Sequence, residues 1–378
     1  MKTKLKLKEK LFSGNLGFTL FSIVIGFVVG AIVLLIAGFN PLEAYSVMIS
    51  GVFSRPKYIS WTIIYATPII ITGLSVAFAF RTGLFNIGAE GQYIIGSLVA
   101  TAIGYFLKLP PVIHFIFVFI TAALAAGLWG AIAGYLKAKF GVHEVIATIM
   151  LNWIALYLNN YFVMLEGFKR PQSETSYEIQ NTASITILEN WKYSDVGREW
   201  LSNYPILKDI LAAPVNLGFL IAILLAILVW YILNKTTLGY ELRAVGFNRH
   251  AAEYGGINVE KSMVISMFIA GALAGIAGAL QVTGVTKSVA ILAAMEGYGF
   301  DGIAVSLIGS NTAFGSIFSG LLFGMLKYGG PKIQPFLRAP SEVVNIVIGT
   351  IVFFVAIPKF IRMLGSLMNK KRGEKNVG

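Results

Sequence analysis

Apolar residues run along this chain in long blocks separated by short charged stretches. Ten blocks read as membrane segments: 17–39, 58–80, 91–109, 111–135, 143–165, 215–234, 262–284, 299–314, 315–330 and 341–361. At about 20 residues per crossing, most are long enough to span a bilayer as helices, which satisfy their backbone hydrogen bonds internally. The eighth and ninth are short, so broken or re-entrant helices are expected there. Residues 42–53 (LEAYSVMISGVF) are too short to span and are expected at the interface. The pattern predicts an all-α polytopic membrane protein with about ten transmembrane helices.

Composition agrees with the pattern. The hydrophobic fraction is 56%, mean hydropathy is +0.75 and charged residues make up 13%, where a soluble domain carries about 25%. A net charge of +12 would suggest nucleic acid in a soluble protein, but here topology explains it and no nucleic-acid partner is expected. With the N-terminus inside, the inner segments hold 18 Lys and Arg and the outer segments 11. That bias predicts cytoplasmic N- and C-termini. The lysines at 2, 4, 6, 8 and 10 precede an apolar run too long for a signal-peptide core, so a retained first helix is expected. The implied organisation is a basic N-terminus (1–16), a membrane domain (17–361) and a basic tail (362–378). A long outer loop (166–212) and a charged inner loop (235–261) interrupt the membrane domain. The outer loop holds five basic and seven acidic residues with Trp191, Trp200 and Pro205, and partial order is expected. With no cysteine, disulfides and thiolate metal sites are excluded.

Three stretches carry chemistry. In the inner loop, Asn248 suits an N-cap, Arg249 to Tyr254 a short helix, and Gly255–Gly256 its end. Ala244, Phe247, Ala251 and Tyr254 recur at helical spacing. Their apolar face must be buried against the bundle, lipid or a partner protein. Arg81 to Gln92 (RTGLFNIGAEGQ) sets Arg81, Asn86, Glu90 and Gln92 among three glycines. It reads as a broken helix beside a pathway, or as a tight cytoplasmic loop. Glu296 to Ile303 (EGYGFDGI) repeats that chemistry, with Asp301 either functional or a helix cap. Glu90-Gly91 pairs with Asp301-Gly302, and His143-Glu144-Val145-Ile146 with Ser341-Glu342-Val343-Val344. The members of each pair fall toward opposite sides, which predicts an inverted repeat of the second to fifth segments against the seventh to tenth. Asn152 and Asn159, seven apart, share a helix face that could line a polar path, with Asn160 at the outer boundary. Gly271, Gly275 and Gly278 form a small-residue face for close packing, as do Gly320 and Gly324.

Other chemistries find no support. There is no phosphate loop for nucleotide hydrolysis and no serine elbow. The histidines at 114, 143 and 250 lack metal spacing. No catalytic residue and no metal ligand are expected.

The stretches GLFNIGAEGQ (83–92), ELRAVGFNRHAAEYGGINV (241–259) and GYGFDGIAVSLIG (297–309) resemble permease subunits of bacterial ABC importers. The resemblance covers about residues 60 to 360. It points to the ribose, branched-chain amino acid and nucleoside permease family, particularly its nucleoside-type, basic-membrane-protein-associated members. It implies a coupling helix docking on a separate ABC ATPase, carried here by Gly246, Phe247, Asn248, Ala251, Ala252, Tyr254 and Gly256. His250 stands where the common pattern has Glu, and no Ile-x-Leu-Pro follows. It further implies a second permease that is often a different chain, and an extracytoplasmic substrate-binding lipoprotein carrying most substrate recognition. ATP and magnesium would sit on the ATPase, leaving this chain without a cofactor. The expected function is import of a small polar solute, nucleosides foremost, across the cytoplasmic membrane. Asn86, Glu90, Gln92, Asn152 and Asp301 would shape the path. The alternative is a stand-alone ion-coupled secondary transporter using Glu90 and Asp301.

Overall fold

The computed structural model describes residues 15–356, with side chains described from Phe21 to Phe354. Most of the basic N-terminus (1–16), the end of the tenth segment and the basic tail (362–378) lie outside the described residues. In chain order the helices begin with α1 (Asn15–Ile36), α2 (Pro41–Phe53), α3 (Pro56–Arg81), α4 (Ala89–Phe106), α5 (Pro111–Phe140) and α6 (Glu144–Val163). Three short ones follow: α7 (Glu189–Tyr193), α8 (Asp195–Ser202) and α9 (Pro205–Leu211). Next come α10 (Gly218–Lys235), α11 (Thr237–Phe247), α12 (Arg249–Tyr254) and α13 (Val259–Gln281), the last prolonged by a π turn, Val282–Thr286. The described chain closes with α14 (Tyr298–Ile308), α15 (Ala313–Gly329), α16 (Ile333–Leu337) and α17 (Ser341–Ala356). Among the described residues β structure is confined to isolated bridges.

Five helices (α3, α5, α6, α10 and α13 with its π turn) are long and apolar enough to cross a membrane, and α1, α14 and α17 are shorter apolar helices. The eighth segment is the shortest: α14 has 11 residues, about 16 Å, roughly half of a bilayer core. An irregular stretch from Lys287 to Gly297 precedes it.

The residues form two compact units, one built from the parts up to Val52 and from Leu326 onward, the other from Phe53–Met325. In the first, α1 lies along α17 with Gly26 against the Ile351 backbone. The Tyr45 hydroxyl on α2 donates to the Phe27 carbonyl at 2.7 Å, and Lys332 donates to the Gly51 carbonyl.

In the second unit α3 is buried almost all round, through Ile70, Ile71, Leu74 and Phe78. By contrast α5, α6 and α10 expose Ile120, Leu128, Trp153, Leu224 and similar side chains, the pattern of peripheral helices facing hydrocarbon. The small-residue face on α13 packs internally. Gly271 and Gly275 meet Ala126 and Ala122 of α5, and Gly278 meets Tyr93 of α4. Close approach there replaces the hydrophobic effect, which does not drive helices together within lipid.

The loop between α6 and α10 is ordered. Its β-bridges join Thr175 to Ala290 and Thr186 to Asn216. Lys287 donates to Glu189 at 2.9 Å, to Thr186 at 2.8 Å and to Ser184, fastening the loop to the stretch that descends toward α14.

Candidate translocation site

The site begins where α3 ends. After Arg81 the chain turns through Gly83, whose φ of +71° is left-handed, and runs inward so that Leu84 and Asn86 are buried. Three expected pathway residues brace this unwound stretch, two through their paired side chains and Asn152 through bonds to the stretch's backbone. The Asn86 and Gln92 side-chain amides pair reciprocally at 2.8 and 3.1 Å, and Asn86 also donates to Ser75. Asn152, from α6, accepts from the Gly91 N–H at 2.8 Å and donates to the Ile87 carbonyl at 3.0 Å. These amides therefore hold the loop. Unwound backbone in a membrane protein needs such partners, because lipid offers none.

Glu90 makes the central contact. Fully buried, it accepts from the Gly297 N–H at 2.7 Å and the Gly299 N–H at 2.6 Å. Those amides open α14, so a carboxylate from one helix caps another, as the unsatisfied donors and positive dipole end of a helix favour. Gly299 is required there: a Cβ would lie 2.2 Å from the Glu90 nitrogen. The two glycine-flanked carboxylate motifs, expected toward opposite sides, instead adjoin. Each sits at a chain break that turns inward, and the two breaks meet. Asp301 lies in the first turn of α14, whose N-cap is Gly297, so the capping carboxylate is Glu90 and not Asp301.

Glu296 is a site residue to which spacing and composition assign no role. It is exposed, as are Ala293 and Ala294, and its carboxyl lies beside the Tyr93 hydroxyl. It borders a cavity of about 240 Å³ whose walls include Tyr93, Ser97, Asn159, Gln281 and Ser288. Asn159 thus reaches this cavity, although its amide also supports the wall by donating to the Ala290 carbonyl at 2.9 Å. The one local signal for Glu296 is a carboxylate next to the Gly-Tyr-Gly that re-enters the bundle. No grouping of three potential metal ligands occurs among the described residues.

The charged loop forms the helix expected of it. Asn248 accepts from the Ala251 N–H at 3.1 Å, α12 runs from Arg249 to Tyr254, and Gly256 ends the turn at φ +84°. The four apolar residues expected on one helix face are split between two helices, because Asn248 is extended (φ −159°, ψ 113°) and separates Ala244 and Phe247 on α11 from Ala251 and Tyr254 on α12. Phe247 and Tyr254, the last residues of their helices, are nevertheless not packed on the bundle, being 91% and 98% exposed. Ala251 is exposed too, whereas Ala252 is buried. Gly246 makes the firm contact, since a Cβ there would lie 2.2 Å from the Arg81 carbonyl oxygen. The loop therefore rests on the turn that leads into Asn86 and Glu90.

Apolar crossing helices around a polar, re-entrant centre define a multi-pass membrane permease. Residues 58–356 match the family described as branched-chain amino acid transport system / permease component, and the chain belongs to that family as the permease component of an ABC importer, with ATP hydrolysis on a separate subunit. It is 42% identical over 352 residues to the guanosine ABC transporter permease protein NupP of Bacillus subtilis, covering 93% of this chain and 96% of that one. It is 34% identical to the nucleoside ABC transporter permease protein NupB of Lactococcus lactis, covering 94% and 97%. A glucose ABC transporter permease protein of Haloferax volcanii is 27% identical, covering 92% and 88%.

Proposed function

We propose that this permease imports nucleosides across a bacterial cytoplasmic membrane, with both termini cytoplasmic. The relatives named for guanosine and for nucleosides support the substrate class, since each is covered almost end to end. The observation that carries the coupling reading is the exposed Phe247–Tyr254 face on a loop seated, through Gly246, on the Arg81 turn. Phe247, Asn248, Ala251, Tyr254 and Gly256 form or shape the surface that docks on the ATPase, while Ala252 and Gly246 fix it to the bundle. ATP and magnesium belong to the ATPase, and a second permease chain and an extracytoplasmic binding lipoprotein complete the machine within membrane lipid.

Docking movements enter the bundle at Arg81 and reach the loop held by Asn86, Gln92 and Asn152, then Glu90 and the first turn of α14 with Asp301. An exposed carboxylate facing hydrocarbon is costly, so the Glu296 face lines the solute path, opposite the second permease. A stand-alone ion-coupled carrier leaves the exposed docking face without a role.

Reconstitution with the ATPase, second permease and lipoprotein tests the reading, by ATP-dependent accumulation of radiolabelled nucleosides in proteoliposomes. ATP hydrolysis by an assembled complex without nucleoside accumulation would refute the substrate. Single cysteines introduced by Asn203→Cys and His250→Cys should label from opposite sides of the membrane, and labelling from one side would refute the topology.

A further inference from the structure

The cavity beside Glu296 has a chemistry that the family assignment does not supply. Glu296 stands at its mouth, and Gln281, Thr286 and Ser288 are polar residues of its lining. No lysine or arginine lines it. Lys287, next to the lining in sequence, turns its ammonium away to Ser184, Thr186 and Glu189. Of the polar lining groups, Glu296 and Thr286 are exposed and Gln281 and Ser288 partly so, within reach of a solute. The lining also includes Val282 and Thr286, the two ends of the π turn, a distortion that recurs at functional positions. At about 240 Å³ the cavity falls just below the range of about 300–1,000 Å³ that holds drug-sized ligands. It has room for one ring, with the remainder of a larger solute projecting past Glu296.

We propose that this cavity is a solute-binding subsite within the permease, taking the vicinal hydroxyls of an unphosphorylated sugar ring. Resting on the nucleoside reading above, it assigns the ribose end of the solute to this chain. The Glu296 carboxylate accepts hydrogen bonds from the two neighbouring hydroxyls, a paired geometry that a carboxylate's two oxygens provide. Gln281, Thr286 and Ser288 serve the remaining polar atoms. A phosphate finds no cation in the lining and meets a carboxylate instead, so nucleotides are turned away by repulsion as well as by lack of a partner. Recognition is thus shared between the permease and the external lipoprotein.

Equilibrium binding to the purified complex in lipid nanodiscs, with no lipoprotein present, tests this. The probes are tritiated uridine, with ribose, 2′,3′-dideoxyuridine and uridine 5′-monophosphate as competitors. Uridine should bind saturably, the dideoxynucleoside and the monophosphate should compete at least 10-fold more weakly, and Glu296→Gln or Gln281→Ala should weaken uridine 10-fold or more. Competition by ribose as strong as by uridine would place the free sugar, not the nucleoside, as the solute, retaining the diol site. Wild-type uridine affinity in both variants would overturn the subsite, as would the absence of saturable binding. Uptake by the full system with lipoprotein, measured in parallel, separates the two readings: uptake without binding removes the subsite alone, and absence of both removes the nucleoside reading too. Asn203→Ala, in the outer loop, serves as the control variant and should bind uridine normally.

Discussion

Glu90 caps a helix to which it does not belong: its carboxylate accepts the Gly299 N–H at 2.6 Å from a position 209 residues earlier in the chain. The neighbouring Gly297 N–H fills the second oxygen. One buried side chain therefore joins the break before α4 to the break before α14.

Removing that carboxylate should damage the fold in proportion to the donors left unpaired. Glu90→Ala orphans two buried amides, at about 1–3 kcal/mol each. Glu90→Gln keeps one acceptor and turns an NH2 group toward the other amide. The expected order of complex stability is wild type, Gln, then Ala, with uptake falling in the same order. Thermal unfolding of the purified complex checks this, and melting temperatures equal to wild type in both variants would deny the cap its role.

The glycines separate what local pattern reveals from what it hides. The Gly271–Gly275–Gly278 face is legible in the sequence, because small residues spaced by three and four mark one side of any helix. Its partners are not. Gly96 on α4, unremarkable in the sequence, sits where a Cβ would be 2.3 Å from the Gly275 carbonyl oxygen. The cap and end of α12 are readable for the same local reason, resting on Asn248 and Gly256 within one turn. Glu90 and Gly299 meet only because two distant breaks turn inward, and Glu296 gains meaning only from its exposure. Sequence spacing carries neither fact. Gly96→Val should therefore destabilise the bundle even though it adds apolar surface, because it must part α4 from α13. The control is Ala102→Val on the same helix, at a partly buried position. Membrane-extracted protein should fall several-fold relative to that control, and equal yields would show that the crossing relaxes freely.

The outer loop offers a pH test. At Glu189 burial raises the carboxyl pKa, but hydrogen bonds from Lys287 and Ser184 outweigh it and hold the group below its usual value. At Lys287 burial prevails over the attraction of Glu189 and lowers the ammonium. The two shifts do not share the sign pattern of a simple ion pair. The lysine is the more enclosed, with 19% of its side chain exposed against 36% for the glutamate, so desolvation dominates there. For Glu189 the folded value is depressed, so its contribution is present above the ordinary carboxylate value of about 4.3 and is lost as pH falls through the folded value. Limited proteolysis should leave the loop intact near neutrality and cut it progressively below pH about 4. Glu189→Gln should flatten that dependence, and an unchanged acid profile in this variant would assign it to other groups.

The last prediction concerns the docking face. Phe247 and Tyr254 are 91% and 98% exposed, so truncating either removes almost no contact within the chain. Phe247→Ala and Tyr254→Ala should leave the folded permease as stable as wild type. Under the proposed coupling role the same aromatics fill a partner surface, and anchors of this kind cost about 2 kcal/mol or more when truncated, roughly 30-fold in affinity. Ala251→Glu adds a charge to a contact that excludes water and should act more strongly still. Ala252→Glu differs, because Ala252 is buried in the chain and the change should harm folding first. The measurements are recovery of ATPase with each purified variant and solute-stimulated ATP hydrolysis in liposomes. A face that merely lay on lipid would weaken membrane contact and leave both measurements at wild-type values. Loss of ATPase recovery in the Ala251, Phe247 and Tyr254 variants, with the permease still folded in the membrane, is the outcome that Gly246 seated on Arg81 requires of a coupling helix.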